Sequence, residues 1–386
     1  MTGPRDAASR GPSTLAVHAG GPEPEAGAPV VGPVVHAATF FYAEEGDGEL
    51  RYTRYSNNPT LQAVARRIAA LEGTPAALVT GSGMAAMAMA LLSLVRAGDH
   101  IVAARDLYGG TSTLLRTELP RLGVRTTFVD GQWADALEAE TRVMVVEVPS
   151  NPLMRVPDLP AIAATAREAG VALVVDATFA SPVNLRAADH GATVVVQSAT
   201  KYLGGHSDLT AGTVAASAEM IERIGRTMRS FGPVLDPGAA ARLERGIKTL
   251  AVRIARHNDN AAILADWLAD HPAVASVVYP GRADHPDHAV AARLLRGGGG
   301  MLGFVVRGGD EVALAVLRRL RLLRVAPSLG SVETLVSMPR YTSHTALSEE
   351  ERLERGIAPG YVRVSVGVED VADLQADLDA ALAAVC

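Results

Sequence analysis

Residues 193–208 read TVVVQSATKYLGGHSD and place one amine, Lys201, directly after an apolar β-branched run. The run, residues 194–196, ends at the polar Gln197-Ser198-Ala199-Thr200, and a glycine pair, Gly204 and Gly205, follows the lysine. This order puts an amine at the end of a buried strand, beside two hydroxyls, on a turn that holds it still. A partly desolvated lysine that gives up its proton is the side chain that forms a Schiff base with a carbonyl. Most lysines in turns are simply solvated, so the neighbours decide between the two readings.

Three further groups fall where strands hand over to helices. Asp176 ends the apolar run 171–175, Ser82-Gly83-Met84 opens a helix after the short run 77–80, and Tyr108 lies in LYGG after the run 101–103. In open α/β sheets ligands bind outside the carboxyl ends of the strands. Backbone N–H groups at a glycine-containing helix start suit a phosphate, and the hydroxyls of Ser198 and Thr200 extend that cradle. A carboxylate beside a pyridine nitrogen keeps it protonated, and a protonated pyridine is an electron sink. Tyr108 supplies a ring to stack on such a cofactor. Together with Lys201 these groups point to pyridoxal phosphate. Asp176 also fits a helix cap, and Tyr108 also fits a core or rim position. Gly81-x-Gly83-x-x-Ala86 matches a dinucleotide fingerprint too, and the corresponding nicotinamide-dependent oxidoreductase would leave Lys201 without a role.

The elements that must position these groups follow from texture. Residues 1–60 are rich in Gly and Pro and read as an extended, loop-rich arm. From residue 61 helical and strand patterns alternate: a helix over 61–71, strands over 77–80, 101–103, 143–148, 171–175 and 194–196, and helices over 84–95 and 162–168. Such alternation predicts an α/β domain with a mostly parallel sheet over residues 61–240. A long helix is expected from 239 to about 270, then strands at 274–279, 301–306, 322–326 and 361–366, giving a smaller α/β domain over 241–386.

The whole chain has 386 residues, 48% hydrophobic and 20% charged, with a net charge of -6 and no basic stripe, which excludes a nucleic-acid partner. The longest early apolar stretch, residues 84–95, is too short to cross a bilayer, and residues 1–12 lack an apolar signal core. The single cysteine, Cys386, excludes an intrachain disulfide. A cytoplasmic protein is expected. His285 and His288, in HPDH, lack the other ligands of a metal site, so no metal is expected, and His206 shapes the lysine loop.

These residues together resemble the Cys/Met-metabolism family of PLP enzymes, which includes cystathionine γ-synthase, cystathionine γ-lyase, methionine γ-lyase and O-acetylhomoserine sulfhydrylase. SATKYLGGHSD is similar to the family's lysine signature and YTRYSNNPT, residues 52–60, to its Tyr-x-Arg segment. GSGMAA, DLYGGT, VVDATFASP, RGIKTLAVR, SLGSVETL and YVRVSVGVED resemble further family blocks in the family's order.

The resemblance implies fold type I, like aspartate aminotransferase, with pyridoxal 5′-phosphate on Lys201. It implies that Asp176 pairs with the ring nitrogen, that Tyr108 stacks on the ring and assists the leaving group, and that Gly83, Met84, Ser198 and Thr200 hold the phosphate. Tyr52 and Arg54 would reach the phosphate of a neighbouring subunit in a homotetramer built from two dimers. Arg363, helped by Ser328, would clamp the substrate carboxylate. The implied reaction is γ-elimination or γ-replacement on a homoserine- or cysteine-derived amino acid, with freed Lys201 taking the α-proton.

The chain departs from the family pattern in places. Arg51 stands where cystathionine-handling members carry an acidic residue that meets the distal amino group, which argues against cystathionine. One extra residue separates Arg54 from Pro59, and Gly110 replaces the cysteine usual in methionine γ-lyases.

Overall fold

The computed structural model describes residues 10–42, 50–342, 345 and 348–384. Residues 1–9 of the arm and Cys386 lie outside the described residues. Two sheets organise the chain. The first has seven strands: β1 (Ala76–Thr80), β2 (His100–Ala104), β3 (Arg125–Val129), β4 (Thr141–Glu147), β5 (Ala172–Asp176), β6 (Val194–Ser198) and β7 (Gly212–Ala216), in the order β1-β7-β6-β5-β4-β2-β3. β7 runs antiparallel to both β1 and β6, and the remaining pairs are parallel. The carboxyl ends of β1, β2, β4, β5 and β6 therefore share one edge. Val143, Val145, Val174 and Val194 are fully buried, as expected of parallel strands covered on both faces.

The second sheet has five strands: β8 (Val274–Val278), β9 (Met301–Val306), β10 (Arg324–Val325), β11 (Leu335–Ser337) and β12 (Tyr361–Ser365), ordered β10-β11-β12-β9-β8. It packs around its own cluster of buried residues, including Leu302, Phe304, Val362 and Val364. The core of the first sheet extends to Leu250, Ile254 and Met301, so the two halves are tied together.

Local chemistry sets the helices that matter. The arm carries a short helix, α1 (Pro12–His18), where an extended chain was expected. Helix α2 (Pro59–Glu72) starts at Asn58, whose side chain accepts from Thr60 N–H at 2.9 Å, and stops at Gly73 in a left-handed conformation, φ 71°. Helix α3 (Gly83–Leu94) starts at Ser82, whose hydroxyl accepts from Ala85 N–H at 3.1 Å. Helix α4 (Gly109–Thr113) follows Tyr108.

Several expectations are corrected. The single long helix is two, Pro237–Lys248 and Leu250–Ala269, separated at Thr249, whose ψ of 5° leaves the helical range. The strand expected at 322–326 shrinks to Arg324–Val325. Strands β3, β7 and β11 and the helix Ala218–Phe231 were not anticipated.

Candidate active site

A cavity of about 660 Å³ opens where the carboxyl edge of the first sheet faces the second. Its wall gathers Gly83, Met84, Tyr108, Asp176, Ser198, Thr200, Lys201, Ser328 and Arg363, from segments far apart in sequence. Among the described residues, Arg51, Tyr52 and Arg54 are not part of this wall. Arg54 instead donates to Arg229 O at 2.6 Å, and its guanidinium lies 5.4 Å from the Tyr52 ring centroid and 4.9 Å from that of Tyr55. The Arg51 guanidinium lies 5.7 Å from the Phe40 ring centroid.

Lys201 sits in the turn after β6, held because its N–H donates to Ser198 O at 3.1 Å and its own carbonyl accepts from Gly205 N–H at 2.8 Å. Gly205 has φ 74°, and a Cβ there would strike the Arg253 guanidinium at 2.2 Å, so this turn requires glycine. The lysine amine donates to Ser328 Oγ at 2.6 Å. Burial, with help from the positive charge of Arg363, pushes the amine down to about 8. Both effects disfavour the ammonium form, so a neutral amine is accessible near neutral pH.

Asp176 ends β5. Its Oδ1 accepts from Thr178 N–H at 3.0 Å and Thr178 Oγ1–H at 2.5 Å. Thr178 Oγ1 in turn accepts from Ser198 N–H at 2.8 Å, which locks the ends of β5 and β6 together. Burial raises the Asp176 carboxyl above the ordinary carboxylate range despite the Thr178 bonds. A cationic N–H placed against it would reverse that tendency, because an opposite charge favours ionisation.

Arg363, in the middle of the second sheet on β12, is 5% exposed and points its fork into the wall. One amino group donates to Asn151 Oδ1 at 2.8 Å and the other to Ser328 O at 3.3 Å. A buried planar guanidinium held on two sides suits a bidentate carboxylate.

The wall near Gly83 tests whether a phosphate-bearing ring fits. The first backbone N–H groups of α3 have no intrahelical partner. A Cβ on Gly83 would come within 2.6 Å of Ser198 Cβ, so only glycine lets the helix start lie against the Ser198 hydroxyl. Thr200 Oγ1 stands beside them, bonded to the backbone of Ala211 at 3.2 and 3.0 Å. An anion cradle, the Asp176 carboxyl and the Lys201 amine on one cavity wall match pyridoxal phosphate. The Tyr108 ring, 47% exposed, folds back over Gly110, where a Cβ would meet ring carbon Cε1 at 2.6 Å.

Glu147, Asn151, Thr111, Thr178 and Thr210 also line the cavity and were not anticipated. Only Thr178, two residues after Asp176, carried a readable signal, the Asp-x-Thr turn. Among the described residues no cluster of His, Cys, Asp and Glu could hold a metal ion. Nor is any described helix long and apolar enough to cross a membrane.

Residues 13–383 match the family described as Cys/Met metabolism PLP-dependent enzyme. The chain is 40% identical to cystathionine gamma-lyase of Bacillus subtilis, covering 96% of this chain and 98% of that protein. It is also 40% identical to L-methionine gamma-lyase of Pseudomonas putida, covering 96% and 97%. The crystal structure of cystathionine gamma synthase from Xanthomonas oryzae pv. oryzae, in complex with aminoacrylate and cysteine, superposes with a TM-score of 0.93 at 36% identity, covering 97% and 98%.

Proposed function

The chain belongs to the Cys/Met metabolism PLP-dependent enzymes, and from that premise we propose that it catalyses γ-elimination or γ-replacement on a homoserine- or cysteine-derived amino acid. It is a fold type I enzyme that uses pyridoxal 5′-phosphate to act on an amino acid. The glycine turn Gly81-x-Gly83 therefore serves a phosphate on that cofactor and not a nicotinamide dinucleotide. The observation that carries the proposal is the joint placement of the Lys201 amine, the Asp176 carboxyl and the Arg363 fork on one cavity.

Bound pyridoxal phosphate supplies an electron sink for charge developing at the substrate Cα. Lys201 would anchor it, and Gly83, Met84, Ser198 and Thr200 would hold its phosphate. Asp176, with its Oδ1 fixed by Thr178, would pair with the ring nitrogen. Arg363 orients the substrate through its carboxylate. Lys201 Nζ, pushed down to about 8, is available in part as the neutral amine that would accept the α-proton. Tyr108, on the same wall, would stack on the ring and assist departure of the γ-substituent. On this reading residues 61–240 form the cofactor-binding domain, and 241–386 form the C-terminal domain that supplies Arg363 and Ser328.

Relatives with lyase and synthase names are similarly close, so the proposal spans C–S chemistry of the cystathionine γ-lyase, cystathionine γ-synthase and methionine γ-lyase kinds. O-acetylhomoserine sulfhydrylase-like replacement is the second reading. The large exposure of Val30 at 93%, Phe41 at 106% and Tyr42 at 73% supports an arm that a neighbouring subunit covers. Tyr52 and Arg54 then complete the neighbour's phosphate site in a cytoplasmic homotetramer.

The test is product identification with cystathionine, methionine, cysteine, and O-acetyl- and O-succinylhomoserine, each with and without a thiol. The expected products are a four-carbon 2-oxo acid with ammonia, or a γ-substituted amino acid. Pyruvate as the only product, or no product from any of them, overturns the proposal.

A further inference from the structure

Glu147 is the last residue of β4 and is 2% exposed, yet it lines the active-site cavity. None of the roles above uses it. Its Cα pairs in register with Asp176 on the neighbouring strand, and the next residue, Val148, donates its N–H to Asp176 O at 2.9 Å. On its other side, Glu147 Oε2 accepts the backbone N–H of Tyr108 at 2.6 Å. That amide precedes α4, so its orientation sets where the Tyr108 ring lies.

Resting on the proposed reaction, we propose that Glu147 is a positioning residue whose carboxyl fixes the Tyr108 turn relative to Asp176. One strand end thus holds both the ring-stacking residue and the neighbour of the ring-nitrogen partner. The charged and titratable groups facing Glu147 are Asp176 on β5, Asp106 and Tyr108 after β2, and Arg363 on β12. Burial above all, then the charge of Asp176, raises the Glu147 carboxyl well above the ordinary range. Two adjacent buried carboxyls do not both ionise cheaply. Asp176 would have the cationic ring nitrogen to face, which leaves the raised Glu147 carboxyl as the one favoured to hold a proton. Its remaining work is that of a neutral acceptor, which glutamine copies and alanine does not.

The test compares Glu147→Gln, Glu147→Ala and Glu147→Asp in the full-length protein carrying its cofactor, after borohydride has shown the cofactor fixed on Lys201. Amide exchange at Tyr108 is measured by mass spectrometry, and kcat/KM across pH on the best substrate. In the Ala and Asp variants the Tyr108 amide exchanges about tenfold faster than in wild type. In the Ala variant kcat/KM falls about 10²-fold. Gln recovers both to within about fivefold without moving the pH profile. If the Ala variant does not fold, Asp and Gln alone carry the comparison, since Asp is too short to reach the amide. Unchanged exchange in Asp or Ala, or a Gln variant as impaired as they are, overturns this inference while leaving the enzyme reading intact. Failure to fix the cofactor on Lys201 overturns both.

Discussion

Lys201 Nζ donates to Ser328 Oγ at 2.6 Å and so joins the end of β6 to the loop between β10 and β11. Ser328 makes that contact from a backbone φ of 95°, a region that non-glycine residues rarely occupy. Gly330, two residues on, has φ 76°, and a Cβ there would strike Tyr202 N at 2.6 Å. The loop is pressed against the lysine turn so closely that the two sheets present amine and hydroxyl as one unit.

The lysine amine gives a pH signature in the cofactor-free protein. Its folded value near 8 lies below the ordinary lysine value of 10.5. Between those values the unfolded chain binds more protons, so stability rises with pH there. Lys201→Met removes this dependence. The variant is expected to exceed wild type in stability below pH 8, with the gap closing as pH approaches 10.5. Denaturant unfolding at about pH 7 and about pH 10 measures it. A gap that widens with rising pH contradicts the assignment.

Arg363 and Asn151 form a second unit across 212 residues of sequence. Arg363→Lys keeps the charge but loses the fork, and kcat/KM is expected to fall about 10²-fold. Asn151→Ala strips one guanidinium N–H of its partner, and a rise in KM of about tenfold is expected. Steady-state kinetics on an amino acid and on its decarboxylated amine separate the two effects from general damage. The amine, lacking a carboxylate, is to be equally poor with wild type and both variants.

Gly83→Ala places a Cβ 2.6 Å from Ser198 Cβ, a gap that neither neighbour can yield without moving the helix start. Pyridoxal phosphate affinity is expected to fall about tenfold or more, because the displaced N–H groups no longer converge on its phosphate. Titrating cofactor-free protein with pyridoxal phosphate, and with pyridoxal plus inorganic phosphate, reads the change. An unchanged affinity shows that the phosphate sits elsewhere.

Much of this site was legible because strand ends announce themselves. Apolar β-branched runs ending at Asp176 and Ser198 fixed the edge on which ligands sit, and Gly83 marked the helix start. The partners of these groups were not legible. Glu147 reads in sequence as one polar residue closing an apolar run, and only the pairing of β4 with β5 brings it beside Asp176. Asn151 gains meaning only when β12 packs against the first sheet. Strand β7, with the sequence GTVAA, is built mostly from small residues and gave no strand signal, although it is fully buried between β1 and β6. Strand β3 has an exposed first residue and partly polar composition because it lies at the sheet edge.

On the proposed reading, Arg51 bears on substrate choice through charge alone. It precedes Tyr52 on the arm, whose proposed place is the mouth of a neighbouring subunit's cavity. Cystathionine carries a second ammonium group at the end distant from the reacting carbons, and a guanidinium near it repels that group. At a separation of several ångströms in partly screened surroundings the cost is on the order of 1 kcal/mol, or several-fold in kcat/KM. Arg51→Glu replaces repulsion with attraction and is expected to raise the cystathionine-to-methionine ratio of kcat/KM by about tenfold or more. The effect is to shrink in high salt, as a charge–charge effect in a solvated mouth must. Efficient cystathionine cleavage by wild type, or a ratio that Arg51→Glu leaves unchanged, places Arg51 away from the substrate.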